Sequence, residues 1–316
     1  MARVLITRLA LAVPMLFGMS VLVFLIIRLV PGDPVLAVLG LNATPELVAQ
    51  MREDLGLNDP MYVQYFHWLA DILHGDFGID YRSNEPIGHL LADRLPVTIE
   101  LAVLSLLLAV AAAIPLGVLA ALRRGRVEDK ATLGVSLAGI SVPDFWLGIM
   151  LILVFSLGLD LLPSSGFVPL GEDPVDNIRH MLLPSIALAV GLAAVLIRIT
   201  RAAMLDVLHQ DHIRFTRAKG VEERVVIFKH ALRNAAIPIV TVIGLQAGYL
   251  LGGAIVIEQV FALPGVGRLV LDSVLQRNYP VVQASVLVIG VLFVFTNLAA
   301  DLLYIVLNPK LRTSGQ

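Results

Sequence analysis

The 316-residue chain contains no cysteine and few charged residues. Without cysteine it has no disulfide framework, no thiolate metal site and no thiol nucleophile. Charged residues make up 15% of the chain, whereas average chains carry about 25%. Because 58% of the residues are hydrophobic, a water-soluble domain of this length would lack the polar surface that keeps it dissolved. The composition therefore predicts that a lipid bilayer is the solvent.

Sequence signatures of common catalytic sites are also missing. A P-loop places a Gly-Lys pair in its phosphate cradle, and no lysine in this chain follows a glycine. The zinc-binding pattern His-Glu-x-x-His does not occur, and no histidine falls inside a long apolar run. The sequence thus offers no ATPase site of its own and no metal site. A membrane-bound enzyme is the least supported class of function.

Long apolar runs recur at the length that a membrane-spanning helix needs, which is about 20 residues. They predict an all-α, polytopic membrane protein with six transmembrane helices. The first run is about twice as long as the apolar part of a signal peptide and lacks a cleavage site of small residues. We therefore predict that it is retained as a span. The runs cover residues 9–30, 97–122, 131–157, 181–199, 235–257 and 281–307.

Basic residues cluster at one set of span ends. They lie before the first run, between the second and third, between the fourth and fifth, and after the sixth. Six spans place all these segments on one side, which the positive-inside rule makes cytoplasmic, so both termini are predicted to be cytoplasmic. The predicted organisation is the N-terminus with the first span (1–30), an acidic extracytoplasmic segment (31–96), the core with the remaining spans (97–307) and a cytoplasmic tail (308–316).

Short helices are predicted within the extracytoplasmic segment. Thr44-Pro45-Glu46 combines an N-cap, a first-turn proline and an acid favourable at a helix N-terminus, and this helix would end near Gly56. Asp59-Pro60 begins a second, aromatic-rich helix. That helix suits the outer membrane interface or an external partner, or it packs on the ends of the spans. Residues 77–81 are predicted to be extended.

An aspartate inside an apolar run is a candidate for function, because a charge in lipid is costly. Asp144 follows Pro143, which frees a backbone carbonyl and predicts a kink in the third span. Asp144 would line a transport path and attract a cationic or amine-bearing substrate. Alternatively, it satisfies the kinked backbone or bonds to a neighbouring helix. The other candidates for the path are Ser141, Pro143 itself, Gln246 and Asn297.

The segment 201–234, between the fourth and fifth spans, is basic and has apolar residues at helical spacing. A helix would continue from the fourth span, a short helix would end at Gly220, and another would open with acids at Glu222. Short helices that are apolar on one side and basic on the other fit a groove in a partner protein. The alternative is a basic loop held by anionic lipid headgroups. The periodicity and the central glycine favour docking.

Several short motifs point to one family. Arg-Ala-Lys-Gly occupies 217–220, His-Ala-Leu-Arg-Asn occupies 230–234, and Ile-Pro follows at 237–238. Further motifs occupy 28–34, 77–78, 94–96, 143–148, 258–268 and 278–280. Together they resemble the first-type permease subunit of dipeptide, oligopeptide and nickel ABC importers, over nearly the whole chain. The segment 201–234 resembles a divergent EAA motif, in which the usual Glu-Ala-Ala falls on Arg214-Phe215-Thr216 and is not kept.

The resemblance implies a type I importer permease fold and a heteromeric assembly. A second homologous permease subunit would complete the path, two ATP-binding subunits would hold ATP and magnesium, and an extracytoplasmic binding protein would deliver the substrate. The chain would contact membrane lipid, hold no cofactor itself and bind no nucleic acid. The residues implied in ATPase docking are Arg214, Phe215, Thr216, Arg217, Ala218, Lys219, Gly220, Val221, Glu222, Arg224 and Leu232. Those implied in an external loop before the sixth span are Glu258, Phe261, Pro264, Gly265, Gly267 and Arg268.

The implied function is passage of di- or oligopeptides, with nickel chelates or another small solute as an alternative. A rival from another class is a secondary transporter or channel that works alone. Such a protein would need ion-coupling carboxylates in broken helices near the membrane midplane, and only Asp144 fits that description. Glu258, at an outer span end, is expected to be hydrated.

Overall fold

The computed structural model of the chain describes residues 2–29, 35, 43–54 and 56–307. The predicted tail 308–316 and most of 30–42 lie outside the described residues. Where the chain is described, it is mostly helical, and its β pairing is a single antiparallel bridge between Ile79 and Pro86. The all-α prediction is confirmed, and the predicted extended segment 77–81 contributes only to that bridge.

Twelve helical stretches make up most of the described residues. In chain order they are α1 (Ala2–Leu29), α2 (Pro45–Asp54), α3 (Met61–Leu73), α4 (Ile87–Leu122), α5 (Val127–Ser141), α6 (Asp144–Leu151, continued by a π-helix at Ile152–Gly158), α7 (Pro174–Leu208), α8 (Asp211–Ala218), α9 (Glu223–Val225, continued by a π-helix at Val226–Ala231), α10 (Leu232–Val260), α11 (Val266–Leu275) and α12 (Tyr279–Leu307).

Long apolar helices coincide with the predicted spans. In the part of the chain that the structure describes, four helices are long and apolar enough to cross a membrane, and the bent pair α5–α6 makes a fifth if it counts as one span. The helix α1 covers the first predicted span and contains a shorter apolar stretch, Ala10–Leu25. The six-span topology and the cytoplasmic position of both termini stay predictions.

The third predicted span, 131–157, is broken rather than kinked. The helices α5 and α6 meet at Val142-Pro143 with a bend of 100°. The backbone N–H of Val142 still bonds to the Ala138 carbonyl, and helical bonding resumes with the N–H of Leu147 on the Pro143 carbonyl. Pro143 has no N–H to offer the Gly139 carbonyl, so the ladder lapses there. The sequence predicted the position of the distortion and underestimated its size.

Contacts divide the chain into two compact units. The first consists mainly of Ile99–Leu263, and the second of Ile6–Thr98 with Pro264–Val294. In the first unit, glycines allow helices to approach closely. A Cβ at Gly117 would lie 2.6 Å from the Cβ of Thr200, and one at Gly139 would lie 3.2 Å from that of Ala194. The helices α4 and α5 therefore pack tightly against α7.

The second unit contains the predicted short helices. The N–H of Leu47 donates to Thr44 Oγ1 over 3.3 Å, as expected for an N-cap, and Gly56 follows α2 with φ +61°. In α3, the Tyr65 ring packs 5.3 Å from the Phe24 ring, and its hydroxyl lies 2.8 Å from Ser20 Oγ. The helix α3 thus packs on α1 through one face.

Polar contacts fix the turn that precedes α4. The carboxylate of Asp80 accepts hydrogen bonds from the N–H of Arg82 and the hydroxyl of Ser83, each over 2.9 Å, and from the side-chain amide of Asn278. Burial raises the pKa of Asp80, but these hydrogen bonds outweigh it and hold the pKa below its ordinary value. Asp80 therefore stays ionised and joins this turn to the start of α12.

Candidate docking and translocation sites

Segment 201–234 forms a helix, a tight turn and a second helix. The helix α8 ends at Ala218, and Gly220 adopts φ +75°, a left-handed conformation that glycine accepts without steric cost. The chain then re-enters a helix at Glu223. The predicted turn at Gly220 is confirmed. The second helix is not a separate short element, however, because α9 and its π-helical turn continue directly into α10.

The apolar side of this segment packs against its own chain. Ile213 and Val226 are fully buried in a cluster with Met204 of α7 and Val118 of α4. Leu232, which the sequence assigned to docking, is half-buried against the same cluster. Docking of the segment in a partner's groove stays a prediction, but the part of its apolar face that is buried within the chain is not available for it. Most of that face fixes the segment to the helices that carry it.

Two phenylalanines and several charges remain on the surface of the segment. Phe215 is 62% exposed and Phe228 is 59% exposed. The Lys219 ammonium lies 4.5 Å from the centre of the Phe215 ring, a cation–π contact. Ala218 and Arg224 are also exposed. This surface, rather than the buried face, is the part that a partner can reach.

Arg217 closes the turn at Gly220. Its guanidinium donates two hydrogen bonds to Glu223, from Nη2 over 2.6 Å and from Nε over 3.1 Å. These bonds raise the pKa of the Arg217 guanidinium, so Arg217 stays charged at any physiological pH. Arg217 was predicted to contact the ATPase, and Glu223 was not singled out. In the structure the two residues join α8 to α9 across the turn.

The remaining predicted docking residues have local roles. Thr216 Oγ1 donates to the His212 carbonyl over 2.7 Å, and Arg214 lies 3.7 Å from the Asp211 carboxylate. The Glu222 carbonyl accepts the first hydrogen bonds of the second helix, and Val221 is half-buried against the apolar cluster. Contact between any of these residues and an ATPase stays a prediction.

A buried ion pair fixes Arg201, the first residue of the segment, to Asp129 of α5. The Arg201 guanidinium donates to Asp129 from Nε over 2.6 Å and from Nη2 over 2.8 Å, and the Gly125 N–H donates to the same carboxylate over 2.8 Å. The Asp129 side chain is only 4% exposed. Sequence reasoning treated Arg201 as one more basic loop residue and passed over Asp129. The spacing of 72 residues between them gave no local signal.

A cavity of about 270 Å³ lies beside the break in the third predicted span. Its polar side chains are Asp144 at the first turn of α6, and Gln246 and Tyr249 on α10. Apolar residues and glycines form its other walls: Gly139, Ile140, Val142, Leu188, Gly191, Leu192, Val195, Leu250 and Gly253. The structure thus brings Asp144 and Gln246 together, as expected of residues on one path. The sequence prediction did not include Tyr249, although it lies about one helical turn after Gln246 and so on the same face of α10.

Three other path candidates lie outside this cavity's lining. Ser141 is exposed, and its hydroxyl donates to the Leu137 carbonyl over 2.9 Å. Pro143 makes the break but does not line the cavity, and Asn297 lies on α12. That these three residues line the transport path stays a prediction.

The predicted loop before the sixth span begins later than expected. Glu258 lies in the last turn of α10 and is fully buried, so its expected hydration is wrong. Its backbone carbonyl accepts from the Leu263 N–H over 2.8 Å, which turns the chain after the helix. Phe261 is 1% exposed, and a Cβ at Gly148 would lie 3.0 Å from its ring. Both residues therefore belong to the packed first unit.

The second half of that predicted loop belongs to the second unit. Pro264 and Gly265 precede α11, and Gly267 is buried in its first turn. The N–H of Val266 donates to Thr98 Oγ1 over 2.9 Å, and Arg268 lies 3.8 Å from the Asp272 carboxylate. The motif thus fixes the start of α11 on the end of the second predicted span.

The fold and these sites define a class, that of helical membrane proteins with a surface segment for a partner and a cavity among spanning helices. Family models make the assignment specific. Residues 113–313 match the model of the binding-protein-dependent transport system inner membrane component, and residues 1–102 match the N-terminal model of the same membrane components. The chain belongs to this family and is a multi-pass inner-membrane protein.

Curated relatives match from end to end. The dipeptide transport system permease protein DppB of Escherichia coli (strain K12) is 42% identical, with 99% of each chain covered. The glutathione transport system permease protein GsiC of the same strain is 43% identical, again with 99% of each chain covered. Among solved structures, an inward-facing MetNI methionine ABC transporter chain matches with a TM-score of 0.57 and 17% identity, covering 69% of this chain and 96% of that one. The last likeness concerns the fold alone.

Proposed function

We propose that this chain is one of the two permease subunits of an ATP-driven importer of small peptides. The observation that carries the proposal is the segment 201–234, whose inner face is fixed to the spanning helices and whose outer face presents Phe215 and Phe228. A segment built in this way transmits the movement of a partner to the spanning helices, because its buried side is packed against them. An ion channel working alone needs no such element.

The proposed assembly has three kinds of partner subunit. A second permease related to this chain completes the path, two ATP-binding subunits hold ATP and magnesium, and a binding protein delivers the substrate outside. The family description names a binding-protein-dependent system, which supports the last of these. In this assembly the chain itself carries out no chemistry and needs no cofactor.

The proposed substrate class is peptides of two or three residues. The curated relatives are named for a dipeptide and for glutathione, which is itself a tripeptide with a γ-linkage. Both molecules carry a free ammonium group and at least one carboxylate. A bare nickel ion is less well supported, because the only carboxylate among the described residues lining the cavity is Asp144, whereas hard and borderline cations take several ligands.

The contacts support a coupling mechanism for this assembly. ATP binding closes the ATP-binding subunits and moves α8, and the Arg217–Glu223 pair and the buried cluster carry that movement into α7 and α10. These two helices line the cavity that contains Asp144 and Gln246. The switch between inward and outward access then changes the shape of the cavity.

Purification followed by transport separates this proposal from its rival. We expect the tagged chain to co-purify with a second permease and ATP-binding subunits. In proteoliposomes with the binding protein, that complex is expected to take up alanyl-alanine only when ATP is supplied on the ATPase side. Uptake by the chain alone, driven by a proton or sodium gradient without ATP, would establish the secondary transporter instead.

A further inference from the structure

The cavity beside the Val142-Pro143 break contains a carboxylate that the rest of the fold does not use. Among the described residues, none gives the side chain of Asp144 a hydrogen bond or an ion pair, and the same holds for the side chains of Gln246 and Tyr249. Three polar groups without protein partners at membrane depth are costly unless water or a ligand satisfies them. Their convergence on one cavity indicates a ligand-binding site.

The backbone at the break adds a hydrogen-bond acceptor to the carboxylate. The C-terminal end of α5, whose carbonyl groups carry partial negative charge, and the N-terminal end of α6, whose N–H groups carry partial positive charge, both lie at the break and offset each other. Pro143 leaves the Gly139 carbonyl without its usual donor, and Gly139 lines the cavity. Irregular backbone at membrane depth is tolerated where it lines a polar cavity. Among the described residues that line it, no lysine, arginine or histidine offsets these acceptors.

The size and the walls of the cavity limit what binds there. A volume of about 270 Å³ is at the lower end of small-molecule sites. Apart from the three polar side chains, the walls are apolar, with Ile140, Leu188 and Val195 among them. Such a site accepts a small cation with an apolar group beside it. It does not accept a bare metal ion well, since one carboxylate supplies too few ligands.

We propose that this cavity binds the protonated amino end of the transported peptide. The ammonium donates hydrogen bonds to the Asp144 carboxylate and to the side-chain oxygen of Gln246, and the first side chain of the peptide lies against the apolar walls. This inference rests on the proposed function and adds a substrate contact to it. It assigns to the permease a recognition of free peptide amines that is separate from recognition by the binding protein.

Gly191 sets the position of the carboxylate. A Cβ added at Gly191 would lie 3.2 Å from Asp144 Oδ1, which is tighter than ordinary contact. The variant Gly191→Ala therefore displaces the carboxylate without removing its charge. It is expected to weaken ammonium binding less than Asp144→Asn does. Comparing the two variants separates the position of the carboxylate from its charge.

The absence of cysteine from the chain allows a direct test that does not involve the binding protein. Val195→Cys places a single thiol in the cavity wall of the assembled complex. Its labelling rate is measured with 2-aminoethyl methanethiosulfonate, which carries a primary ammonium, and with the anionic 2-sulfonatoethyl reagent. We expect Asp144→Asn to reduce the ratio of the two rates by roughly tenfold, because a charge-assisted contact is lost. An unchanged ratio would overturn the proposal.

Protection by peptides tests the assignment to the amino end. Alanyl-alanine is expected to slow labelling of Val195→Cys, whereas N-acetyl-alanyl-alanine, which lacks the ammonium, is expected to leave it unchanged. Equal protection by both peptides would overturn the assignment. Thr241→Ala, which removes a hydroxyl that bonds only to its own helix, is the control and is expected to change neither result.

A relocated carboxylate separates binding from a structural role. The double variant Asp144→Asn with Gln246→Glu moves the charge from α6 to α10 within the same cavity, and we expect it to recover most of the preference for the ammonium reagent. No recovery, with the complex intact, would contradict the proposal. The proposed function fails separately, if the unmodified complex takes up no peptide while the labelling preference persists. If peptide uptake occurs without any preference, only the ammonium site fails.

Discussion

The segment 201–234 and the cavity at Val142-Pro143 treat polar groups in opposite ways. In the segment, Arg217 pairs with Glu223. The buried pair of Arg201 with Asp129 fixes the start of the segment to α5. In the cavity, Asp144 has no such partner among the described residues. Groups that must transmit force are paired within the chain. A group that must bind a ligand is left available, at a cost that the membrane makes high.

The first prediction concerns the turn at Gly220 in the segment 201–234. Gly220→Pro is expected to abolish ATP-dependent peptide uptake while membrane insertion stays normal. Proline holds φ near about −65°, and the turn needs +75°. Transport assays in vesicles with matched amounts of protein measure the effect.

A milder pair of variants controls for backbone strain alone. Gly220→Ala and Gly75→Ala place the same side chain at left-handed positions with open space around them. Each costs on the order of 1 kcal/mol. Only the change at Gly220 is expected to reduce uptake, and equal losses from both variants would remove the special role of the turn.

The second prediction concerns the buried pair of Asp129 with Arg201 at the start of the segment. Asp129→Asn leaves the Arg201 guanidinium without its carboxylate and is expected to destabilise the purified permease by about 3 kcal/mol. Glu128→Gln, at the preceding position, breaks only an exposed pair with Arg123 at 3.7 Å. That control is expected to cost less than about 1 kcal/mol. Thermal unfolding in detergent compares them, and similar shifts in Tm would contradict the structural role of the buried pair.

The third prediction addresses the exposed surface of the segment. Phe215→Ala is expected to weaken association with the ATP-binding subunits by about 2 kcal/mol, as for a buried aromatic anchor at an interface. The stability of the permease alone should stay unchanged, because the ring is 62% exposed. Leu245→Ala, at an equally exposed residue on α10, is the control. If both variants bind the ATP-binding subunits normally, Phe215 is not an anchor.

The smallest effect is expected from the exposed pair across the turn. Glu223→Gln should change the free energy of unfolding by less than about 1 kcal/mol, since exposed ion pairs contribute little. The ATP hydrolysed per peptide transported is nevertheless expected to rise, because the angle between α8 and α9 is less firmly held. The exchange Arg217→Glu with Glu223→Arg restores the pair and should restore the ratio. If the exchanged variant still hydrolyses more ATP per peptide than the native chain, the pairing of residues 217 and 223 does not explain the effect.

Local patterns predicted the local parts of this structure. The turn at Gly220, the N-cap at Thr44 and the distortion at Pro143 all follow from the conformational limits of single residues. The family resemblance added the docking role of the segment. These features depend on residues that are close in sequence.

Features that depend on distant residues were missed or misjudged. The pairing of Asp129 with Arg201 needs α5 and α7 side by side, and Tyr249 joins the cavity only because α10 packs near the break. The burial of Glu258 and the inward face of the segment are likewise set by packing. Periodicity shows that a helix has an apolar side but not which neighbour covers it.

The most direct test of the account is site-specific photocrosslinking from the segment 201–234. A photoreactive phenylalanine at 215, an exposed position, is expected to capture an ATP-binding subunit in the assembled complex. The same group at 213, where the native isoleucine is fully buried, is expected to capture only its own chain. Capture of an ATP-binding subunit at 215 but not at 213 supports the proposed coupling surface. Capture from neither position, in a complex that transports peptide with ATP, would contradict it.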